Sequence, residues 1–439
     1  MSEQPGPVDL LANLIRFDTT NPPGNEGPCI AYLEDVLRRE GVSTRRIAKD
    51  PGRPNLLAHL PGRGVAPPLL LYGHVDVVTA GSQDWTHPPF AGSVENGWVW
   101  GRGALDMKAG VAMMVSAVVR AASERHAPPG DVLLLCLADE EAGGRFGARF
   151  LAEEHPDLFA GVRFALGEFG GFPLLIAGHR FYAIQVAEKQ PCWTEVTVRG
   201  RSGHGARPMR GGATASLGRI LCALDRSRFP IHVTPVVRRM IGSAAARICG
   251  PKGLFLRLLL VPGLAAPLLA LLGESGRVLE PLFRNTANVT AVRGGEKANV
   301  IPSEVQLGLD GRILPGLDVE DFLAELREVI GPAGELRILL HDPVPTDPDY
   351  GLFDTLGRIL VELDPDAVPI PLLLPASTDA RFFSRLGIQT YGFTPMNLPS
   401  DFDFFSTIHG IDERIPAQAV EFGADAIARV IAAYDAAPR

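Results

Sequence analysis

The apolar run Val-Leu-Leu-Leu-Cys-Leu-Ala at 132–138 passes without a break into Asp139-Glu140-Glu141. Three acids on the end of an apolar strand repel one another and lose hydration unless a cation compensates them. A strand this apolar also wants cover on both faces, which points to a sheet between helices. The same juxtaposition recurs twice. Leu69 to Tyr72 leads to His74 and Asp76, and Val162 to Gly167 leads to Glu168. Between the strand-like runs lie helical segments at 107–122 and 146–154. Strand and helix therefore alternate, which predicts an α/β domain with a mixed, largely parallel sheet. Ligands in such sheets sit beyond the carboxyl ends of the strands, where these ionisable residues fall.

The chain has 439 residues, more than one core usually serves, so two domains are expected. Residues 8–17 and 28–40 read as helices around Thr19-Thr20-Asn21-Pro22-Pro23-Gly24. Near 180 the pattern changes to alternating strands at 180–189, 193–199, 305–312 and 336–341, with helices at 213–223 and 319–329. That predicts a smaller α+β domain over 181–347, with an insertion at about 230–285. The first pattern returns at 348–439, closing with a helix over 416–435. The α/β domain is thus discontinuous, formed by 1–180 and 348–439.

Net charge is −8, and the basic group Arg199, Arg201, Arg207 and Arg210 has no interleaved aromatics, which argues against nucleic acid. Five cysteines without a CxxC pair suggest neither a disulfide framework nor a thiolate metal site, and fit a reducing cytoplasm. The N-terminal Met-Ser-Glu-Gln-Pro-Gly-Pro does not read as a signal peptide. The longest apolar run, Leu258 to Gly273, is short for a membrane span and holds Pro262 and Pro267. It reads as a buried or substrate-facing helical hairpin, with peripheral membrane contact as the alternative.

His74 at a strand end can bind metal through one ring nitrogen while Asp76 holds the other, although a satisfied structural histidine fits equally well. Asp106, in Gly101-Arg102-Gly103-Ala104-Leu105-Asp106-Met107-Lys108, reads either as a helix cap or as a carboxylate that bridges two ions. Glu140 and Glu141 are adjacent and point apart, so one can ligate while the other faces a water. Glu168 ends its own strand. His409, before the final helix, could ligate with Glu413 or another carboxylate in support. Two histidines and three carboxylates, one of them shared, make the nitrogen and oxygen set of a hydrolytic metal pair. No HExxH helix and no GxSxG elbow offers a rival.

These elements resemble the M20 family of metallopeptidases and aminoacylases, which includes carboxypeptidase S, acetylornithine deacetylase and succinyl-diaminopimelate desuccinylase. The similarity lies in His74-Val75-Asp76, Gly101 to Lys108, Glu140-Glu141, Glu168 and His409. It implies a zinc-peptidase catalytic domain interrupted by a ferredoxin-like lid or dimerisation domain, with two Zn2+ per subunit and Co2+ or Mn2+ as substitutes. By the same resemblance His74 and Glu168 hold one metal, Glu141 and His409 the other, and Asp106 bridges. Glu140 is then the general base, Asp76 supports His74, and the Asp106–Met107 peptide is cis. Gly200 to Pro208 resembles the lid's histidine segment, so that His204 would stabilise the oxyanion, entering from the partner in dimeric relatives. Asn299, in Asn299-Val300-Ile301-Pro302, and Arg312 would hold substrate. Ser377-Thr378-Asp379-Ala380-Arg381 resembles a Gly-Thr-Asp segment, with Ser377 replacing the glycine.

The resemblance implies an amide hydrolase in which Glu140 takes the proton of the attacking water and passes it to the leaving nitrogen. The substrate expected is an N-acyl amino acid or short peptide with an apolar acyl group or side chain, because Asp84-Trp85-Thr86-His87-Pro88-Pro89-Phe90 and the apolar insertion look most like the carboxypeptidase S branch. A biosynthetic deacylase is the alternative within the class, and a non-catalytic metabolite-binding homologue the alternative outside it. A homodimer through the lid is an arrangement the family uses.

Overall fold

A computed structural model describes residues 5–81, 84–124 and 127–434. Residues Met1 to Gln4, and residue 435 of the expected last helix, lie outside them. The chain divides into two compact units. One comprises Met1–Val186, Pro348–Leu372 and Thr378–Arg439, the other Ala187–Asp347 and Leu373–Ser377.

The large sheet runs in spatial order Ser43–Ile47, Asn55–Leu60, Val132–Leu137, Leu69–His74, Phe164–Gly167, Gln389–Gly392, His179–Glu188 and Ala367–Leu374, with Phe172–Ile176 paired to His179–Glu188. Its centre is parallel: Val132–Leu137, Leu69–His74, Phe164–Gly167 and Gln389–Gly392 pair successively in that sense. The first two strands pair antiparallel, as does Asn55–Leu60 with Val132–Leu137. Every residue of Leu69–His74 is buried, as a central strand covered on both faces requires. One face packs Leu70, Tyr72, Leu135 and Leu137 against Phe150, Leu151, Phe382 and Phe383. The helix Lys108–Ser123 packs against Ala417–Ala433 and Pro7–Ile15. Its small residues permit a close approach. A Cβ on Gly423 would stand 2.3 Å from Met113 Sδ and 2.4 Å from Pro395 O, so only glycine fits. Burying each Leu or Phe of these faces contributes about 1.5–3 kcal/mol.

Register then gathers the chemistry. His74 lies opposite Leu137 in the parallel pair, so Asp76 and Asp139–Glu141 emerge at one edge. Phe164–Gly167 runs in the same sense on the other side of Leu69–His74, and Glu168 follows it.

The second unit has an antiparallel sheet ordered Thr286–Gly294, Glu304–Ile313, Gln190–Arg199 and Gly334–His341. Val305, Leu307, Leu309 and Ile313 alternate inward against Ala213 and Ile220 of helix Gly212–Arg226 and against Phe322 and Leu326 of helix Val319–Ile330. Strand order and helix placement give the split β-α-β arrangement of ferredoxin-like folds. Between Gly212–Arg226 and Thr286–Gly294 come four further helices, Pro235–Arg247, Pro251–Leu258, Pro262–Leu271 and Glu274–Leu279. The run Leu258 to Gly273, expected to be a buried or substrate-facing hairpin, is helical but only partly buried. Ala265 and Leu269 are buried, but Val261, Leu264 and Leu271 are 45%, 43% and 77% exposed. Two short helices offer too little inner surface for so many apolar side chains. Among the described residues no helix is long and apolar enough to cross a membrane.

Candidate metal centre

His74 ends its strand with its ring 1% exposed. Its Nδ1 lies 3.0 Å from the backbone carbonyl of Asp76, which can only accept, so Nδ1 carries a proton. Nε2 lies 3.1 Å from Asp106 Oδ1 and 3.1 Å from Glu168 Oε2. On the other side, His409 Nε2 lies 3.2 Å from Asp106 Oδ2 and 3.3 Å from Glu141 Oε1. Two three-residue groups of ligand atoms therefore meet on Asp106, which offers one carboxylate oxygen to each.

The donor set fits two divalent cations. In each group three lone-pair-bearing atoms converge; one proton serves one pair of them, whereas a metal ion serves all three. Glu141 Oε1 is buried without a hydrogen-bond partner, as an oxygen reserved for a metal would be. The donors are nitrogen and oxygen only, with no thiolate in either group. Charge placement agrees. Burial opposes a charge on His74, yet Asp106, Asp76 and Glu168 outweigh it and raise the ring well above its usual range. Asp106 and Glu141 raise His409 to about 10. Burial of Asp106 is overcome by His409 and His74, which hold its carboxyl low.

Asp76 is fully buried and does more than face His74. Its Oδ1 accepts from the backbone N–H of Glu140 at 3.1 Å, and its Oδ2 from that of Glu141 at 3.1 Å and from Asn21 Nδ2 at 2.8 Å. One carboxylate thus fixes the backbone of both glutamates. Asn21 Nδ2 also reaches Asp139 Oδ1 at 3.0 Å, and Arg53 Nη1 donates to the same oxygen at 3.0 Å. Arg53 in turn is paired with fully buried Glu26. This buried polar chain, Asp76–Asn21–Asp139–Arg53–Glu26, props up the turn Glu140–Ala142. Burial and nearby Glu168 push the Glu140 carboxyl well above its usual value.

Asp106 is placed by a second buttress. Glu413, fully buried, accepts from Arg102 Nη1 at 2.6 Å, Gly103 N at 3.1 Å, Leu105 N at 2.7 Å and Asp106 N at 3.1 Å. Arg102 Nη2 donates to the carbonyl of His409 at 3.1 Å. The carboxylate envisaged as a partner of His409 therefore holds the loop of Asp106, and reaches His409 through Arg102. The Asp106–Met107 peptide is cis. Lys108, the last residue of that motif, is buried and donates to the carbonyls of Leu14 at 3.1 Å and Phe17 at 2.7 Å; it pins the first helix and lies in neither ligand group.

Asp379, in the segment Ser377 to Arg381, carries no predicted role. It is 2% exposed, and neither carboxylate oxygen has a hydrogen-bond partner. Burial pushes it up to about 8. Gly144, at φ +70°, leaves room for it, since a Cβ there would stand 3.2 Å from Asp379 Oδ1. The signal for Asp379 was an acid next to Thr378 at the end of the apolar run Val368–Leu374; what it lacked was a neighbour.

The remaining predicted site residues belong to the second unit. His204 is exposed on a two-residue strand paired with Val300–Ile301, and Gly205 N donates to Asn299 O at 2.8 Å, so His204 and Asn299 are adjacent. The Ala206 N–H donates to His204 Nδ1 at 3.1 Å, which leaves the proton on Nε2. Arg312 is tied to Asp310 at 2.8 and 3.0 Å and donates to Ser377 Oγ at 2.7 Å.

Known proteins resemble the chain over most of its length. It is 26% identical to human aminoacylase-1, covering 98% of this chain and 96% of that one. It is 28% identical to the human N-fatty-acyl-amino acid synthase/hydrolase PM20D1, over 81% of this chain and 71% of that protein. In fold it matches an M20 family metallo-carboxypeptidase from Sulfolobus solfataricus with a TM-score of 0.68 at 16% identity, covering 98% and 99% of the two chains. The model of peptidase family M20/M25/M40 matches residues 70–433, which include the five side chains of the two groups and Glu140, and the chain belongs to that family of metallohydrolases.

Proposed function

We propose that the protein hydrolyses the amide bond of an N-acyl amino acid or short peptide whose acyl group or side chain is apolar. The observation that carries the reading is the division of Asp106, one oxygen to His74 and Glu168, the other to His409 and Glu141. That donor set suits zinc, with His74, Asp106 and Glu168 at one position and Asp106, Glu141 and His409 at the other. When bound, the ion pair supplies Lewis acidity and makes water acidic enough to react near neutral pH.

The chain's own residues do the rest. Glu140 takes a proton from the attacking water and passes it to the leaving nitrogen. Asp76 keeps Glu140 and Glu141 in place through their backbone N–H groups. His204, with Nε2–H free to donate, is the group we assign to the developing oxyanion. Asn299, beside it, and Arg312 are assigned to the substrate's polar end. The choice of an acylated amino acid leans on aminoacylase-1, which matches end to end, and the apolar preference on PM20D1.

The test is zinc-loaded protein against acetyl-, succinyl- and long-acyl amino acids and dipeptides. Higher kcat/KM for apolar acyl amino acids is expected; a preference for acetylornithine or succinyl-diaminopimelate would replace this substrate reading by a biosynthetic deacylase. Glu140→Gln should lower kcat by at least ~100-fold while zinc content stays at two per chain. Near-normal turnover in that variant would remove Glu140 from the role of base.

A further inference from the structure

The helix Pro262–Leu271 is apolar on every side. Such a helix is normally enclosed. Here only Ala265 and Leu269 face inward. On the outer side Leu264, Pro267, Leu268 and Leu271 repeat at helical spacing, with Leu264 43% and Leu271 77% exposed. Val261, at the start of this helix, and Leu254, on the preceding helix Pro251–Leu258, are 45% and 58% exposed. This is an outward apolar stripe rather than scattered surface leucines.

The charge around it is mostly positive, because the insertion's acids, Glu274 and Glu280, are each paired with an arginine, Glu274 with Arg277 and Glu280 with Arg228 and Arg284. From Ser227 to Gly273 the sequence contains Arg228, Arg238, Arg239, Arg247, Lys252 and Arg257 and no Asp or Glu, in a chain whose net charge is −8. Arg247, Lys252 and Arg257 are exposed. Arg257 lies three residues from Leu254, on the same side of their helix.

We infer that this four-helix insertion is a docking surface for an anionic lipid bilayer. Leu254, Val261, Leu264 and Leu271 would enter the headgroup and acyl boundary while Arg247, Lys252 and Arg257 meet the acidic headgroups. Charge decides between occupants. A second copy of the chain meeting this face symmetrically would set its cations against the same cations. An acidic bilayer satisfies both the charge and the apolar stripe. The helix has ten residues, too few to span, so the contact is interfacial. The inference stands independently of the substrate.

Full-length, zinc-loaded protein is sedimented with phosphatidylcholine vesicles and with mixed phosphatidylcholine–phosphatidylglycerol vesicles at two salt concentrations. Binding is expected to the anionic vesicles only, and to weaken as salt rises. Lys252→Gln with Arg257→Gln should weaken it by about 30-fold, at about 1 kcal/mol for each cation near the surface. Leu264→Ser with Leu271→Ser should reduce binding to background. Both double variants should hydrolyse a soluble substrate at the wild-type rate, which shows that they fold. The proposal is overturned if the protein ignores anionic vesicles, binds neutral ones equally, or binds as before in either double variant. It is also overturned if light scattering shows a dimer that the leucine substitutions dissociate, since the occupant would then be a second copy.

Discussion

Glu413 offers the sharpest test of how the metal centre is held. Its carboxylate is fully buried, receives four hydrogen bonds and faces the 2% exposed Arg102. Removing one member of a buried ion pair costs about 3–5 kcal/mol, because the other charge is left unpaired. Three backbone N–H groups would lose their acceptor in the same step. Glu413→Ala therefore threatens a domain whose whole stability is about 5–15 kcal/mol. Glu413→Gln is the cleaner perturbation. Its carbonyl can keep Leu105 and Asp106, which bond to Oε1. Its amide nitrogen must then face Arg102 Nη1 and Gly103 N, donor against donor. A loss of about 2–4 kcal/mol is expected from those two contacts. It should appear as a lower midpoint in urea unfolding of the chelator-treated protein, where bound metal does not contribute. Because Asp106 and the backbone of His409 hang on the same pair, zinc affinity should fall by about 10–100-fold in a chelator competition. The exposed pair Arg120–Glu124 serves as the contrast, and Glu124→Gln should change stability by less than ~0.5 kcal/mol. If Glu413→Gln keeps both its urea midpoint and its zinc affinity, the buttress we describe does not position the site.

Three further outcomes follow from the geometry. Chelation should abolish activity and lower the melting temperature by about 5 °C, with both restored by Zn2+, because ligand binding to the folded state alone stabilises it; unchanged melting would argue that the ligand cluster holds no metal. Asp76→Ala should reduce zinc affinity by about 10–100-fold and lower kcat as well, since it frees the backbone of both Glu140 and Glu141; a loss of affinity with unchanged kcat in the fully loaded variant would limit Asp76 to His74. Lys189 is buried, donates to Arg284 O at 2.8 Å and Thr286 Oγ1 at 3.1 Å, and burial together with Arg312 brings it down to about 7. Between about pH 7 and 10 the unfolded chain therefore binds a proton that the folded chain does not, so stability should rise with pH across that window and the cost of the buried charge should be greatest below it. Relative to Lys189→Met, the wild type should gain about 2 kcal/mol between pH 7.5 and 9.5 in urea unfolding, and parallel pH profiles would show that Lys189 does not titrate there.

What could be read from the sequence was whatever burial writes locally. Leu69–His74 and Val132–Leu137 announce themselves because a strand covered on both faces is a run of apolar residues, and an ionisable residue at its end stands out against that run. The edge strand Ser43–Ile47 carries Arg45 and Arg46 on a mostly exposed surface, so nothing in it separates a strand from a polar loop. The apolar run after Leu258 shows the opposite difficulty: its composition promises burial and cannot say by what. The centre was harder still, because ligands and buttresses are the same residue types in the same places. Asp76 and Asp106 are both carboxylates beside a glycine-rich or strand-end segment, and both face His74. They differ in what else reaches them. Asp76 already accepts from two backbone N–H groups and from Asn21, so its lone pairs are committed to holding the chain. Among the described residues only the two imidazole nitrogens stand beside the Asp106 carboxylate, and the N–H of its own backbone is taken up by Glu413, 307 residues away. A carboxylate kept clear of donors in a buried site is costly unless a cation serves it, and so the distribution of N–H donors, more than the position of the acids, marks which one is left for the metal pair.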